Sequence, residues 1–186
     1  MGTCTSKPNI HIIYPPTQTP YKGAGILFLD GPLALAGVQK HRKVIEGSLD
    51  ARLSGFGGRK EETDIDWVHT AFREVIEELF DVTDVSVAFI NQLRVAIPYR
   101  PFDEVGSYIN MRCSFADLQT ILKIASNHIK SPLYKKMPLT LDELLLSREP
   151  QISSEIGPLA LIPVLVSVLV DPDFTEDLKK IRSIRS

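Results

Sequence analysis

Apolar residues recur along this 186-residue chain in two periods, and the changes of period mark its elements. Gly23 to Leu29 is a near-continuous apolar run that predicts a buried strand, closed by the turn signal Asp30-Gly31-Pro32. Leu33 to Val38 reads as its hairpin partner, with Gln39 to Arg42 as a polar exit. A strand over Ala51 to Leu53 leads into the glycine-rich loop Ser54-Gly55-Phe56-Gly57-Gly58. Trp67, Ala71, Val75 and Leu79 then recur every four residues. That spacing predicts a helix over Asp66 to Phe80, with Asp64 or Asp66 as its N-cap.

Further along, β-branched content predicts strands over Asp84 to Val95 and Val105 to Phe115, the second followed by a short helix over Ala116 to Ser126. Pro132 to Pro138 is a loop, and Leu141 to Leu146 a helix capped by Thr140. Leu159 to Val170 reads as a buried strand that Pro163 confines to an edge or a bulge. Phe174 to Ile184 closes the chain as an amphipathic helix. Strands and helices mixed without strict alternation indicate an α+β domain, layered α/β/α around a mixed sheet. Four prolines between Pro8 and Lys22 make residues 1–22 an extended arm, which leaves 23–186 as one domain.

Composition narrows the class. Apolar content of 44% and charged content of 24% suit a soluble globular domain long enough to bury a core. A net charge of −2 does not advertise nucleic-acid binding. Cys4 and Cys113 are too few for a disulfide framework, so an intracellular (cytoplasmic or nuclear) setting is expected. Ile156 to Val170 is shorter than a bilayer crossing and is interrupted by Pro163. At the start, Gly2 followed by Ser6 fits N-myristoylation, and Cys4 offers a site for palmitate as the second anchor. Acylation would bring the arm to a membrane; the plain alternative is a leader rich in small residues.

The chemistry concentrates in Arg73-Glu74-Val75-Ile76-Glu77-Glu78. Carboxylates at i, i+3 and i+4 share a helical face and repel one another unless a cation neutralises them. Glu74 and Glu78 are spaced to grip one Mg²⁺ or Mn²⁺, and Glu77 adds a further oxygen donor or serves as a base. A solvated, salt-bridged helix face is the plainer account of such a run. The preceding glycines let backbone approach a ligand closely.

Gly57-Gly58, a spacer and then Arg73-Glu74-Val75-x-Glu77-Glu78-Leu79 resemble the Nudix box, G-x5-E-x7-R-E-U-x-E-E-x-G-U with U a bulky aliphatic residue. Two departures stand out. The early glutamate is displaced, with Glu61, Glu62 and Asp64 as substitutes in a loop about one residue longer, and Phe80 replaces the late glycine. The stretched spacer and the Phe56-Gly57-Gly58 approach look like the branch of snoRNA-decapping enzymes and inosine diphosphatases.

The resemblance implies a Nudix-like α/β/α sandwich with the catalytic helix after the glycine loop, and a metal held by Glu74, Glu77, Glu78 and the Gly58 carbonyl. Arg73 would hold a glutamate in place. The general base would be Glu77 or Glu155, the latter on a late loop. Candidate substrate contacts are the basic run Lys40, His41, Arg42 and Lys43, together with Arg52, Phe56 and Gly57. Tyr99, Arg100 and Phe102 form a loop able to cover a nucleoside, and His11, His69 and His128 show no zinc spacing. The implied activity is metal-dependent hydrolysis of a nucleoside diphosphate linked to another moiety, with nucleotides or capped RNA ends as substrates. A homodimer is common in the fold, although no segment marks an interface. The alternative is a catalytically silent scaffold of the same fold, membrane-anchored if Gly2 is acylated.

Overall fold

The computed structural model describes residues 20–40, 51–164 and 172–184. Among these, seven strands form one mixed sheet. At its centre is β1 (Gly23–Asp30), with β6 (Tyr108–Ser114) parallel to it from Gly23 to Leu29. The opposite edge of β1 is divided between β2 (Leu33–Lys40) at Leu29 and Asp30 and β4 (Phe56–Arg59) from Gly23 to Ile26, both antiparallel. β2 carries β3 (Ala51–Ser54) and β7 (Ile156–Pro163), and β5 (Phe102–Val105) pairs with β6. The β1–β2 hairpin turns at Gly31, whose φ of 52° is open to glycine without a Cβ clash.

Strand side chains alternate between faces, so β1 serves two cores. Ala24, Ile26 and Phe28 join the main core, built with α1 (Trp67–Phe80), α2 (Val87–Ala96), α3 (Phe115–His128) and α4 (Leu141–Leu146). Leu27 and Leu29 meet Ile162, Val164 and, from α5 (Pro172–Ile184), Phe174 and Leu178. The chain is therefore α+β, a mixed sheet between helical layers. Among the described residues no helix is long and apolar enough to cross a membrane.

Three expected elements are corrected. The expected glycine-rich loop is in large part strand: Phe56, Gly57 and Gly58 belong to β4, where the glycines lie close against β1. Asp84 to Val95 does not form a strand: Ser86 caps α2 by accepting the Phe89 N–H at 3.3 Å. Phe89, Ile90, Leu93 and Ile97 bury one helical face. The residues that suggested a strand lie on the outer side, Val87 44% and Val95 58% exposed, so the helical period outweighed β-branched propensity. Val105 to Phe115 is the end of β5, a turn at Gly106 (φ 61°) and β6, after which Ser114 and Asp117 form a capping box for α3. β7 starts at Ile156, earlier than expected, while the later part of that expected strand, 165–170, lies outside the described residues, as does the arm through residue 19.

Candidate active site

The link from β4 to α1 builds the site. Asp66 caps α1 by accepting the His69 N–H at 2.9 Å, and Asp64 folds the preceding loop by accepting the Glu61 N–H at 2.8 Å. Two turns into the helix, Arg73 aims its guanidinium back at that loop. Its Nε and Nη2 donate to the two oxygens of Asp64, each at 3.0 Å, and Nη2 also donates to the Arg59 carbonyl at 2.8 Å. Nη1 donates to Glu77 at 3.0 Å and Nη2 lies 3.0 Å from Glu74.

Of the three acids offered by the sequence, Asp64 is the one seated on Arg73; Glu61 is 3.7 Å away and exposed, and Glu62 is exposed. Burial alone would raise the Asp64 carboxyl. Hydrogen bonds from Arg73, the Glu61 N–H, Thr70 (2.8 Å) and His69 (2.9 Å) outweigh it and hold Asp64 well below the usual carboxylate range. Burial likewise opposes the charge on Arg73, but Asp64, Glu74 and Glu77 raise its pKa and keep it protonated.

The glycines set the other side. Glu78 Oε2 accepts the Gly57 N–H at 2.8 Å. A Cβ on Gly58 would stand 2.3–2.5 Å from the carboxylate of Glu74, so the missing side chain lets Glu74 lie against the backbone. Burial pushes Glu74 up to about 7, with Glu77 and Glu155 adding to the rise against the pull of Arg73. Glu78 is raised well above its ordinary value by burial, and by Glu74, Glu155 and Glu77, despite the Gly57 hydrogen bond. Burial also raises Glu77. Crowded, desolvated carboxylates suit a hard cation. Among the described residues, however, no group of three Asp, Glu, His or Cys side chains converges as a ready cage. The carboxylates are turned instead onto Arg73 and the Gly57 N–H.

Glu155 is exposed at the start of β7 and accepts from Gln39 Nε2 at 3.4 Å; its charge acts on both Glu74 and Glu78. What seats this loop is a residue with no signal in the sequence. Arg148, buried, donates to the carbonyls of Glu78 (2.9 Å) and Leu79 (2.5 Å) at the end of α1, and to those of Ile156 (3.0 Å) and Gly157 (2.8 Å) in β7. Ser154 adds a bond to Asp81 at 3.1 Å. Asp81 ends α1 in the left-handed region, φ 53°, so the conformation a glycine would favour falls one residue beyond Phe80, which is fully buried.

A cleft of about 330 Å³ opens beside Gly57, lined also by Gln39, Tyr108, Asn110, Phe174 and Asp177. Phe56 contributes to its lining, but its ring is buried against Phe28, centroids 6.1 Å apart, and belongs to the core. Arg52 is the register partner of Gln39 on β3 and is not among the lining residues. The loop proposed to cover a nucleoside is engaged elsewhere. Arg100 forms a two-pronged pair with Asp117 (3.0 and 2.7 Å), and Phe102 packs on Trp67 at 4.9 Å. His41, Arg42 and Lys43, like Gly2 and Cys4, lie outside the described residues.

No protein-family model matches the chain, and no curated protein does. Among solved structures it is similar to a NUDIX-family hydrolase from Clostridium perfringens, with 9% identity over 90% of this chain and 99% of that one, and a TM-score of 0.38. A mutT/nudix family protein from Listeria innocua gives 16% identity over 90% and 95% of the two chains, and a TM-score of 0.36.

Proposed function

We propose that this chain is a divalent-metal-dependent hydrolase of phosphoanhydrides, of the Nudix type. The observation that carries the reading is one cluster of carboxylates, Glu74 and Glu77 half-buried on Arg73 and Glu78 buried on the Gly57 N–H, with Glu74 also against Gly58 and raised pKa values that a bound cation would relieve. Glu74, Glu78, Glu77 and the Gly58 carbonyl would hold Mg²⁺ or Mn²⁺, which when bound offsets diphosphate charge and acidifies water. Arg73 orients Glu74 and Glu77, and Asp64 locks Arg73. Glu155 is the freer base of the two candidates in its geometry: it is exposed and bonded to a neutral amide, whereas the Glu77 carboxylate is engaged by Arg73 at 3.0 Å.

The substrates are nucleoside diphosphates bearing a further group, either nucleoside di- and triphosphates or capped RNA ends, the substrates of the decapping and inosine-diphosphatase branch. Release of phosphate or nucleoside monophosphate from a panel of these, with Mg²⁺ and with Mn²⁺, tests the reading. Turnover should fall at least about 100-fold in Glu78→Gln. Undiminished turnover in that variant would refute the metal assignment. A silent scaffold is the second reading, favoured by the absence of a converged cation cage among the described residues; metal binding without turnover on any panel member would support it. Acylation of Gly2 belongs to either reading, and intact-mass measurement after co-expression with a myristoyltransferase tests it.

A further inference from the structure

His69 is the buried side chain of α1 that packing does not account for. The residue is 2% exposed. Nδ1 lies 2.9 Å from Asp64 Oδ1, but Nε2 meets no hydrogen-bond partner among the described residues. Whether Nε2 bears a proton or a lone pair, a polar atom is buried unmatched. Such atoms are uncommon in folded proteins because each one is destabilising. A leucine would fill the same space without one, so the ring is there for what its other nitrogen does.

That nitrogen serves Asp64. The Asp64 carboxyl is held well below the usual carboxylate range, so it can only accept, and Nδ1 must be the donor. Consecutive residues of α1 thus supply one donor to each oxygen: His69 to Oδ1, and Thr70 Oγ1 to Oδ2 at 2.8 Å. The Glu61 N–H adds another to Oδ2 at 2.8 Å. Among the described residues, Oδ1 has His69 and Arg73 Nε as its donors. Without His69 the carboxylate is fixed on one side and can pivot about Oδ2. Arg73 grips both oxygens, each at 3.0 Å, through a planar fork, so turning the carboxylate turns the guanidinium with it. The same guanidinium holds Glu74 and Glu77, each at 3.0 Å.

We propose that His69 is a positioning residue: its Nδ1–H sets the plane of Asp64, Asp64 sets Arg73, and Arg73 sets the carboxylates. Any effect on turnover rests on the hydrolase reading; the bracing of Arg73 does not.

Three variants test this. His69→Leu fills the space and donates nothing. His69→Asn carries an amide N–H to about the Nδ1 position, whereas His69→Gln carries it to about the Nε2 position. In EDTA, proton exchange at the Arg73 Nε–H, followed by NMR, should be at least about tenfold faster in His69→Leu and His69→Gln than in the native protein, and near native in His69→Asn. Mn²⁺ affinity, and kcat on the nucleotide panel, should fall about tenfold in the first two and recover in the third. Native exchange in His69→Gln, or exchange in His69→Asn as fast as in His69→Gln, overturns the proposal, and this pair decides it even if His69→Leu does not fold. A native protein that turns over no panel member refutes the hydrolase reading alone, because Arg73 exchange is read without metal or substrate.

Discussion

Arg148→Met is the sharpest test of how the two halves of the site are held together. Methionine replaces the apolar stem of the buried arginine and none of its donors. Four carbonyls, of Glu78, Leu79, Ile156 and Gly157, lose their charged partner, as does the Tyr134 hydroxyl at 3.0 Å. Each buried acceptor left bare costs about 1–3 kcal/mol. The two on α1 are last-turn carbonyls, and a cation there is worth about 0.5–2 kcal/mol through the helix dipole. Removing the guanidinium also removes the cost of burying it, several kcal/mol that offset part of this sum. The net expectation is a loss of about 3–5 kcal/mol in urea unfolding, large among single substitutions. Arg148→Lys, which keeps the charge but cannot span four carbonyls, should lose about half as much. A change below about 1 kcal/mol in Arg148→Met would refute the claim that this residue joins α1 to β7.

Gly58→Ala should leave stability within about 1 kcal/mol, because its methyl displaces the mobile end of Glu74, yet lower metal-dependent turnover about 10–100-fold. Gly57→Ala should instead destabilise by about 1–3 kcal/mol in the same unfolding assay, since φ is 155° and its Cβ would meet Gly25 Cα at 2.5 Å. Asp64 has a depressed folded pKa, so its contribution is present above the unfolded value of about 3.9 and is lost as pH falls below it. Stability measured between pH 2.5 and 5 should fall steeply in the native protein and less steeply in Asp64→Asn. Glu74 is the opposite case. With a folded value of about 7, the native state holds the extra proton above the ordinary glutamate range, and stability declines as pH rises through that window. Mn²⁺ binding must displace that proton, so affinity measured calorimetrically should rise with pH through about 7; a flat profile would refute the assignment of Glu74 as a ligand.

The legible parts of this chain are those in which neighbours in sequence decide the outcome. Helix α1 declared itself because its apolar residues, its cap at Asp66 and its three carboxylates all sit within one stretch. The strand expected at Asp84 to Val95 failed for a related reason. Its valines counted toward a strand, but the buried set Phe89, Ile90 and Leu93 carries the helical period, and burial has more energy behind it than propensity. The contacts that complete the site join distant positions. Arg148 lies 69 and 70 residues from the carbonyls it caps. A lone arginine has no local pattern to mark it; its role exists once β7 has docked.

The same distinction bears on the irregular ends of the carboxylate motif. Set beside the box that the sequence resembles, the acid stands at another spacing and the glycine at the helix end is absent, which under the proposed function would by itself suggest a site falling out of use. Each loss is matched by a nearby replacement. The longer loop brings the shorter side chain of Asp64 onto both Arg73 nitrogens, where Thr70 and His69 hold it. Asp81 adopts the left-handed turn in place of glycine, at a cost of about 1 kcal/mol that the Ser154 bond helps to offset. Phe80, freed from turning the chain, fills the core beside Tyr134, which in turn bonds Arg148. The first thus fixes α1 against the loop that precedes it, and the second fixes the end of α1 relative to the loop that carries Glu155. A helix that served only as packing would have no need of that constraint, whereas the proposed binding of one cation by its carboxylates would.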